Sequence, residues 1–178
     1  MQKNKAFLVV SIICIAALSR LIPHPNNFAP LAAIALFAGA QFGNKNLAFL
    51  ITILAAFLSD ILVNAVLYNY TDASYFLSFG TISIYACYLL FTFMGQKMQS
   101  ITVGSVVSRS LIISIIFFLV TNIMSWPGNP MYSQSIFGMF ESLAAGIPFL
   151  GNTIVGDLFY NALLFGSFHF ASKKVSIA

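Results

Sequence analysis

Long apolar segments make up most of this 178-residue chain, and they constrain its fold more than any other feature. Six segments predict membrane helices: 6–21, 30–42, 47–67, 75–94, about 105–124 and about 149–170. A spanning helix needs about 20 apolar residues, because the hydrocarbon layer is roughly 30 Å thick. Continuous apolar runs favour helices over a barrel, whose strands alternate apolar and polar residues. We therefore predict an all-α integral membrane protein, a six-transmembrane-helix bundle in a single domain over residues 1–178.

The scarcity of charge excludes most other classes of protein. Charged residues make up 7% of the chain and hydrophobic residues 60%, whereas an ordinary soluble domain is about 25% charged. The basic residues are scattered singly, so nucleic acid is not an expected partner. The chain has no Walker-type phosphate loop and no Ser/His or paired-carboxylate arrangement, so we expect no enzymatic activity. Cys14 and Cys87 share no metal-ligand or redox spacing, and we expect no metal or other cofactor.

The basic residues also orient the predicted bundle, since Lys and Arg collect in the cytoplasmic loops of membrane proteins. With both termini in the cytoplasm, Arg20 falls outside and seven basic residues fall inside. The seven are Lys3, Lys5, Lys45, Lys97, Arg109, Lys173 and Lys174. Without a span at 30–42, Lys45 would lie outside instead. We therefore predict an N-in, C-in topology.

The first apolar segment has a second interpretation. Lys3 and Lys5, followed by an apolar stretch and by residues 17–19 (ALS), are also typical of a cleavable signal peptide. Cleavage after Ser19 would leave five spans and an external N-terminus. The charge distribution favours retaining the first helix.

The longest connection lies between the fifth and sixth segments and begins with turn-forming residues at 125–130 (SWPGNP). The stretch after it has an apolar face at helical spacing and a polar face opposite. The apolar face consists of Ile136, Met139, Phe140, Leu143 and Ile147, and the polar face of Gln134, Glu141 and Ser142. We predict an amphipathic helix in the long loop before the last helix. It would lie in the membrane interface, fold back as a lid, or merely cover the end of the bundle.

Three charged side chains fall in the outer half of the predicted bundle: Arg20, Asp60 and Asp157. An ionisable group in the bilayer costs several kcal/mol unless it is paired or faces water. Arg20 is therefore expected to form an ion pair with Asp60 or Asp157, which would either lock helices together or belong to a functional site. Asn64 lies one turn beyond Asp60 on the same helix face.

Polar and aromatic side chains concentrate in the predicted outer loops. Such side chains suit a binding pocket, in which a few polar groups converge on an aromatic-lined cavity. Tyr and Trp also collect at membrane interfaces for reasons of lipid contact alone. The residues predicted to bind a solute are Asn27, Tyr68, Trp126, Asn129, Tyr132, Asn152 and Asp157.

Two groups of motifs resemble a family of small, uncharacterised bacterial membrane proteins. The first group comprises residues 20–30 (RLIPHPNNFAP) and 38–43 (AGAQFG). The second comprises residues 147–153 (IPFLGNT), 156–160 (GDLFY) and 164–166 (LFG). The resemblance covers residues 20–166 and implies a protein of the bacterial inner (cytoplasmic) membrane.

The six-helix plan, with a turn at 39–43 before the helix that carries Asp60, is also similar to the S components of energy-coupling factor (ECF) transporters. This resemblance implies that the chain captures a vitamin-like micronutrient from outside. The solute would be delivered through a separate transmembrane coupling subunit and two ATPases. S components often dock through an Ala-x-x-x-Ala patch on their first helix, whereas small residues at helical spacing occur here in the second, at Ala35 and Gly39. The alternative is an accessory or structural subunit of a membrane complex, in which the polar residues only hold helices together.

Overall fold

The computed structural model describes residues 2–69 and 74–175, and within these ranges every regular element is helical. The elements are α1 (Gln2–Leu18), α2 (Leu31–Gln41), α3 (Lys45–Leu67), α4 (Ser74–Leu77), α5 (Phe79–Gln96), α6 (Val103–Ser125) and α7 (Ile136–Val175). A 3-10 turn, Ser19–Leu21, continues α1. Five of the described helices are long and apolar enough to cross a membrane. The fold is therefore that of a helical multi-pass membrane protein, as the composition predicts.

The helix at the second predicted span, α2, is the shortest of the apolar helices and lies at the centre of the bundle. Its residues 33–38 are completely buried. With 11 residues it is about 16 Å long, whereas α3 with 23 residues is about 35 Å long. The turn before α3, capped by the Asn44 side chain, joins one end of α2 to the start of α3. The other end of α2 therefore stops about halfway along α3, and the irregular segment 22–30 lies above it.

α2 packs closely against α5 because two glycines face each other at their crossing. A Cβ atom on Gly39 would overlap the Thr92 carbonyl oxygen, and a Cβ atom on Gly95 would overlap the Leu36 carbonyl oxygen. Small residues of this kind let the backbones of membrane helices approach each other. Gly39 and the fully buried Ala35 are thus enclosed within the bundle and do not form an exposed docking patch.

Several basic residues gather at one end of the bundle. The Lys5 ammonium lies 5.7 Å from the centre of an aromatic ring near the end of α7. The Gln96 side chain donates a hydrogen bond to the Lys45 carbonyl oxygen (3.1 Å), and Arg109 donates one to the Met94 carbonyl oxygen (3.5 Å). These contacts bring together the starts of α1, α3 and α6 with the ends of α5 and α7. The side chains of Lys3 and Lys174 lie outside the described part of the structure.

The predicted helix 75–94 is interrupted at Ser78. The backbone of Ser78 is extended, and its side chain accepts a hydrogen bond from the Thr81 amide, which caps the start of α5. Four residues before it form the short helix α4. A serine that caps a helix competes with helix continuation through the same residue, which explains the break.

The stretch predicted as a separate amphipathic helix is helical, but no boundary divides it from the last helix. α7 runs for 40 residues and passes through Pro148. A proline removes one backbone hydrogen bond, and membrane helices tolerate it where their neighbours support the backbone. α7 is joined to α6 one to two turns before this proline, where Ser142 donates a 2.7 Å hydrogen bond to the Asn122 carbonyl oxygen.

The face of this stretch that packs on α6 includes the small residues Ser142 and Gly146. Both are buried, and a Cβ atom on Gly146 would overlap an α6 side chain. Gly138, also buried, packs against Ser133 of the α6–α7 connection. Phe140 and Ile147, from the predicted apolar face, are 58% and 61% exposed. Burying apolar side chains gives no advantage over lipid contact in a membrane, so close packing of small residues decides which face meets α6.

Candidate functional site

A cavity of about 760 Å³ lies where α2 stops short, at the end of the bundle opposite Lys5, Lys45 and Arg109. Its wall includes the 22–30 segment, the start of α2, the later half of α3, and residues of α5, α6 and α7. This volume lies within the range of about 300–1,000 Å³ that is usual for small-molecule sites. The short central helix thus produces a cavity that opens at one end of the bundle.

An ion pair forms one side of the cavity. The Arg20 guanidinium lies 2.5 Å from the Asp60 carboxylate, with side-chain exposures of 16% and 7%. Arg20 also donates a hydrogen bond to Ser59 (2.9 Å), and the Tyr85 hydroxyl donates one to the second Asp60 oxygen (2.8 Å). Of the two partners predicted for Arg20, the structure selects Asp60. The pair connects the end of α1 to α3 and α5.

The second carboxylate of the cavity, Asp157, lies on α7 and faces α6. It is 2% exposed and accepts a 2.7 Å hydrogen bond from the Ser114 hydroxyl. Among the described residues, the structure contains one ion pair, between Arg20 and Asp60. Asp157 therefore has no cationic side-chain partner in the described part of the chain. The formal charges of the Lys, Arg, Asp and Glu residues in the cavity wall (Arg20, Asp60 and Asp157) sum to one negative charge.

Aromatic rings form much of the remaining wall. The rings of Tyr88 and Phe117 stack with an interplanar angle of 10° and a centroid distance of 6.2 Å. Both line the cavity, together with Tyr68 and Phe149. Asn27 also lines it and has a left-handed backbone (φ 64°), a conformation that asparagine adopts more readily than most residues. Apolar faces and polar groups therefore meet around one space.

The two groups of family-like motifs contact each other beside this cavity. Asn152 donates a hydrogen bond to the Asn26 carbonyl oxygen (3.1 Å). Phe28 packs against Tyr160, with 5.6 Å between ring centroids. Gly156 leaves room for this contact, since a Cβ atom there would lie 3.1 Å from the Phe28 Cα atom. The part of α7 that follows Pro148 thus holds the 22–30 segment in place.

The structure brings three of the predicted binding residues, Asn27, Tyr68 and Asp157, to the cavity. Asn152 holds the loop that lines it, next to the lining residue Thr153. The other three predicted residues, Trp126, Asn129 and Tyr132, lie outside the cavity wall in the α6–α7 connection, and their role in binding stays a prediction.

That connection is held by its own hydrogen bonds. The Trp126 indole donates to the Ser133 carbonyl oxygen (2.7 Å). The Gln134 amide donates to the carbonyl oxygens of Asn129 and Tyr132, both at 3.0 Å. These polar groups therefore stabilise the loop in which they lie.

Several residues of the site were not predicted from the sequence: Tyr88 and Phe117 of the cavity wall, and Ser114, which donates a hydrogen bond to the lining residue Asp157. Hydroxyl and aromatic side chains are common in membrane helices, where they serve helix packing. Their spacing gives no sign that they face a cavity. Asn64 was placed on the face of Asp60 by helical spacing, and it does line the cavity.

The fold and the cavity together define a class: a helical multi-pass membrane protein with a polar and aromatic cavity open at one end. Within this class, the chain belongs to the family of unknown function DUF6580, which it matches over residues 1–178. Comparisons with curated proteins and with solved structures find no match.

Proposed function

We propose that this protein is the substrate-capture component of a micronutrient uptake transporter, comparable to an S component of the ECF class. The observation that carries the proposal is the cavity of about 760 Å³. Its wall offers hydrogen-bonding amides from Asn27 and Asn64, stacking surfaces from Tyr88 and Phe117, and the carboxylate of Asp157. Such a mixture suits a small polar solute with a ring or other flat part.

The orientation in the proposal follows from the charge distribution. Lys5, Lys45 and Arg109 lie at the end of the bundle away from the cavity, and cytoplasmic loops are the usual location of Lys and Arg. Arg20 lies at the cavity and is paired with Asp60. The cavity then opens to the outside of a bacterial inner membrane. In this topology α2 and the irregular segment 22–30 together make the sixth crossing, and both termini are cytoplasmic. Irregular backbone is tolerated at membrane depth where it lines a cavity.

Capture rather than catalysis is the proposed role of the polar groups. Arg20 and Asp60 are bound to each other, and Asp157 accepts a hydrogen bond from Ser114 without an adjacent base or nucleophile pair. Energy for uptake would come from separate ATPases acting through a transmembrane coupling subunit, because the sequence has no Walker-type loop.

Filling the cavity should abolish capture. In the variant Asn64→Trp, the indole ring would occupy space beside Asp60, and we expect ligand occupancy to fall at least about tenfold, equivalent to about 1.4 kcal/mol. The measurement is native mass spectrometry of gently purified protein, in which the wild type should carry the additional mass of a small, non-lipid molecule. Leu58→Trp is the matched control. It adds the same side chain to the same helix at a position that is 55% exposed and outside the cavity wall.

Two results would argue against the proposal. If both tryptophan variants retain the ligand equally, the ligand lies elsewhere. If the wild type carries no small molecule but co-purifies stoichiometrically with a larger complex that contains no transport ATPase, the accessory-subunit alternative is favoured.

A further inference from the structure

Two hydrogen-bonded contacts, one helical turn apart, connect α6 to α7 inside the membrane-spanning part of the bundle. In the first, the Ser114 hydroxyl lies 2.7 Å from the Asp157 carboxylate. In the second, the Asn161 amide donates to the Ser110 hydroxyl (2.8 Å). Because residues four apart lie on the same helix face, all four side chains share one interface. Each of the four residues is at most 2% exposed.

This interface contains more oxygen acceptors than hydrogen donors. The side-chain oxygen of Asn161 is buried and has no hydrogen-bond partner among the described residues. The Ser114 hydroxyl lies 2.7 Å from Asp157 and 2.8 Å from the Ser110 carbonyl oxygen, and its single hydrogen can serve only one of them at a time. The carboxylate therefore has a shared donor, and the neighbouring amide oxygen has none.

We propose that Asp157, Asn161, Ser110 and Ser114 form a binding site for a sodium ion between α6 and α7. Carboxylate, amide and hydroxyl oxygens are ligands for hard cations. The charge also fits, because one carboxylate without a cationic partner is neutralised by one monovalent ion. A bound ion would satisfy the Asn161 oxygen and remove the penalty of a buried unpaired carboxylate in a membrane.

The site is continuous with the cavity, since Asp157 belongs to both. A sodium ion at this position would leave the cavity wall neutral and would fix the contact between α6 and α7. Solute capture would then depend on sodium. The sodium site itself follows from the α6–α7 contacts and does not require that the cavity bind a vitamin-like solute.

Thermal unfolding of the full chain in detergent provides the test. Sodium chloride replaces choline chloride at constant ionic strength and constant pH. We expect the melting temperature to rise saturably with sodium, by about 5 to 10 °C at a hundredfold excess over Kd. Potassium should act only at much higher concentration. Binding of radioactive sodium should reach one ion per chain.

Two substitutions should remove the sodium response: Asp157→Asn, which keeps a hydrogen-bond acceptor for Ser114, and Asn161→Leu. Ser142→Ala is the matched control, because it breaks another hydrogen bond between α6 and α7 outside the proposed site. It should lower the melting temperature and leave the sodium response intact.

Equal stabilisation by sodium, potassium and choline would overturn the proposal, since it would reflect ionic strength. So would stabilisation at low pH without any sodium response, which would show that a proton neutralises Asp157. Retention of the full sodium response in Asp157→Asn would place the ion elsewhere. If the wild type responds to sodium but carries no bound solute, only the proposed transport function is contradicted.

Discussion

Replacing Gly39 by alanine should destabilise the protein by about 3 kcal/mol, the upper part of the range for overpacked cores. For a chain of this size the melting temperature would fall by about 6 to 12 °C. The added methyl group would overlap the Thr92 carbonyl oxygen, which is backbone and cannot rotate away. The whole of α2 would have to move from α5. Thermal unfolding of the purified protein measures the effect.

Gly166→Ala provides the control for this substitution. Gly166 is also helical, but a Cβ atom there would meet no atom within 4 Å. Alanine has the higher helix propensity, so this variant should unfold at the same temperature as the wild type or slightly above it. Gly95→Ala should behave like Gly39→Ala, because its methyl group would overlap the Leu36 carbonyl oxygen from the other side. Equal melting temperatures for all three variants would show that α2 and α5 are not in close contact.

Breaking the buried ion pair should have an effect of similar size. Arg20→Met leaves Asp60 without its cation, and removing one partner of a buried pair costs about 3–5 kcal/mol. We expect a loss at the lower end of this range, about 3 kcal/mol, because Asp60 faces the cavity and retains its hydrogen bond from Tyr85. The melting temperature should fall by about 6 to 12 °C.

The double variant Arg20→Met with Asp60→Asn separates loss of the ion pair from loss of packing. Without a carboxylate to desolvate, most of the stability lost in Arg20→Met should return, since asparagine can still accept the Tyr85 hydrogen bond. A double-mutant cycle on the free energies of unfolding gives the coupling energy between Arg20 and Asp60. If the double variant loses as much as the sum of the two single variants, the residues act independently and the pair does not stabilise the bundle.

The positions of the long helices could be predicted from the sequence because they follow from local properties. The predicted segment 47–67 corresponds to α3 at Lys45–Leu67, and the segment 105–124 to α6 at Val103–Ser125. Each begins after a capping residue and consists of a continuous apolar run, and neither depends on which neighbour it packs against. The same local reasoning began the last segment at about residue 149, whereas α7 runs unbroken through this point from Ile136 to Val175.

Much of the candidate site depends on contacts between distant segments and could not be predicted in this way. In the sequence, Asp60 and Asp157 are equivalent partners for Arg20. The end of α1 packs against α3, where Ser59 and Asp60 bind Arg20, whereas Asp157 faces Ser114 on α6. Composition also suggested that every outer loop contributes to a pocket. In the structure, the Trp126 and Gln134 side chains form hydrogen bonds within the α6–α7 connection, which lies outside the cavity wall. Its role in solute binding stays a prediction.

That the chain is a helical membrane protein can be read from its residues alone, and so can the topology that its few charged residues predict. A hydrocarbon environment requires long apolar segments with internally satisfied backbones, and both properties can be read along a single chain. The position of the cavity and the charged groups that face it follow from how the helices pack. The cavity exists because α2 covers only about half the length of α3. α2 is held in the bundle by its close contact with α5 at Gly39 and Gly95. That arrangement depends on contacts between segments that are far apart in the chain. Such contacts cannot be read from the local pattern of residues.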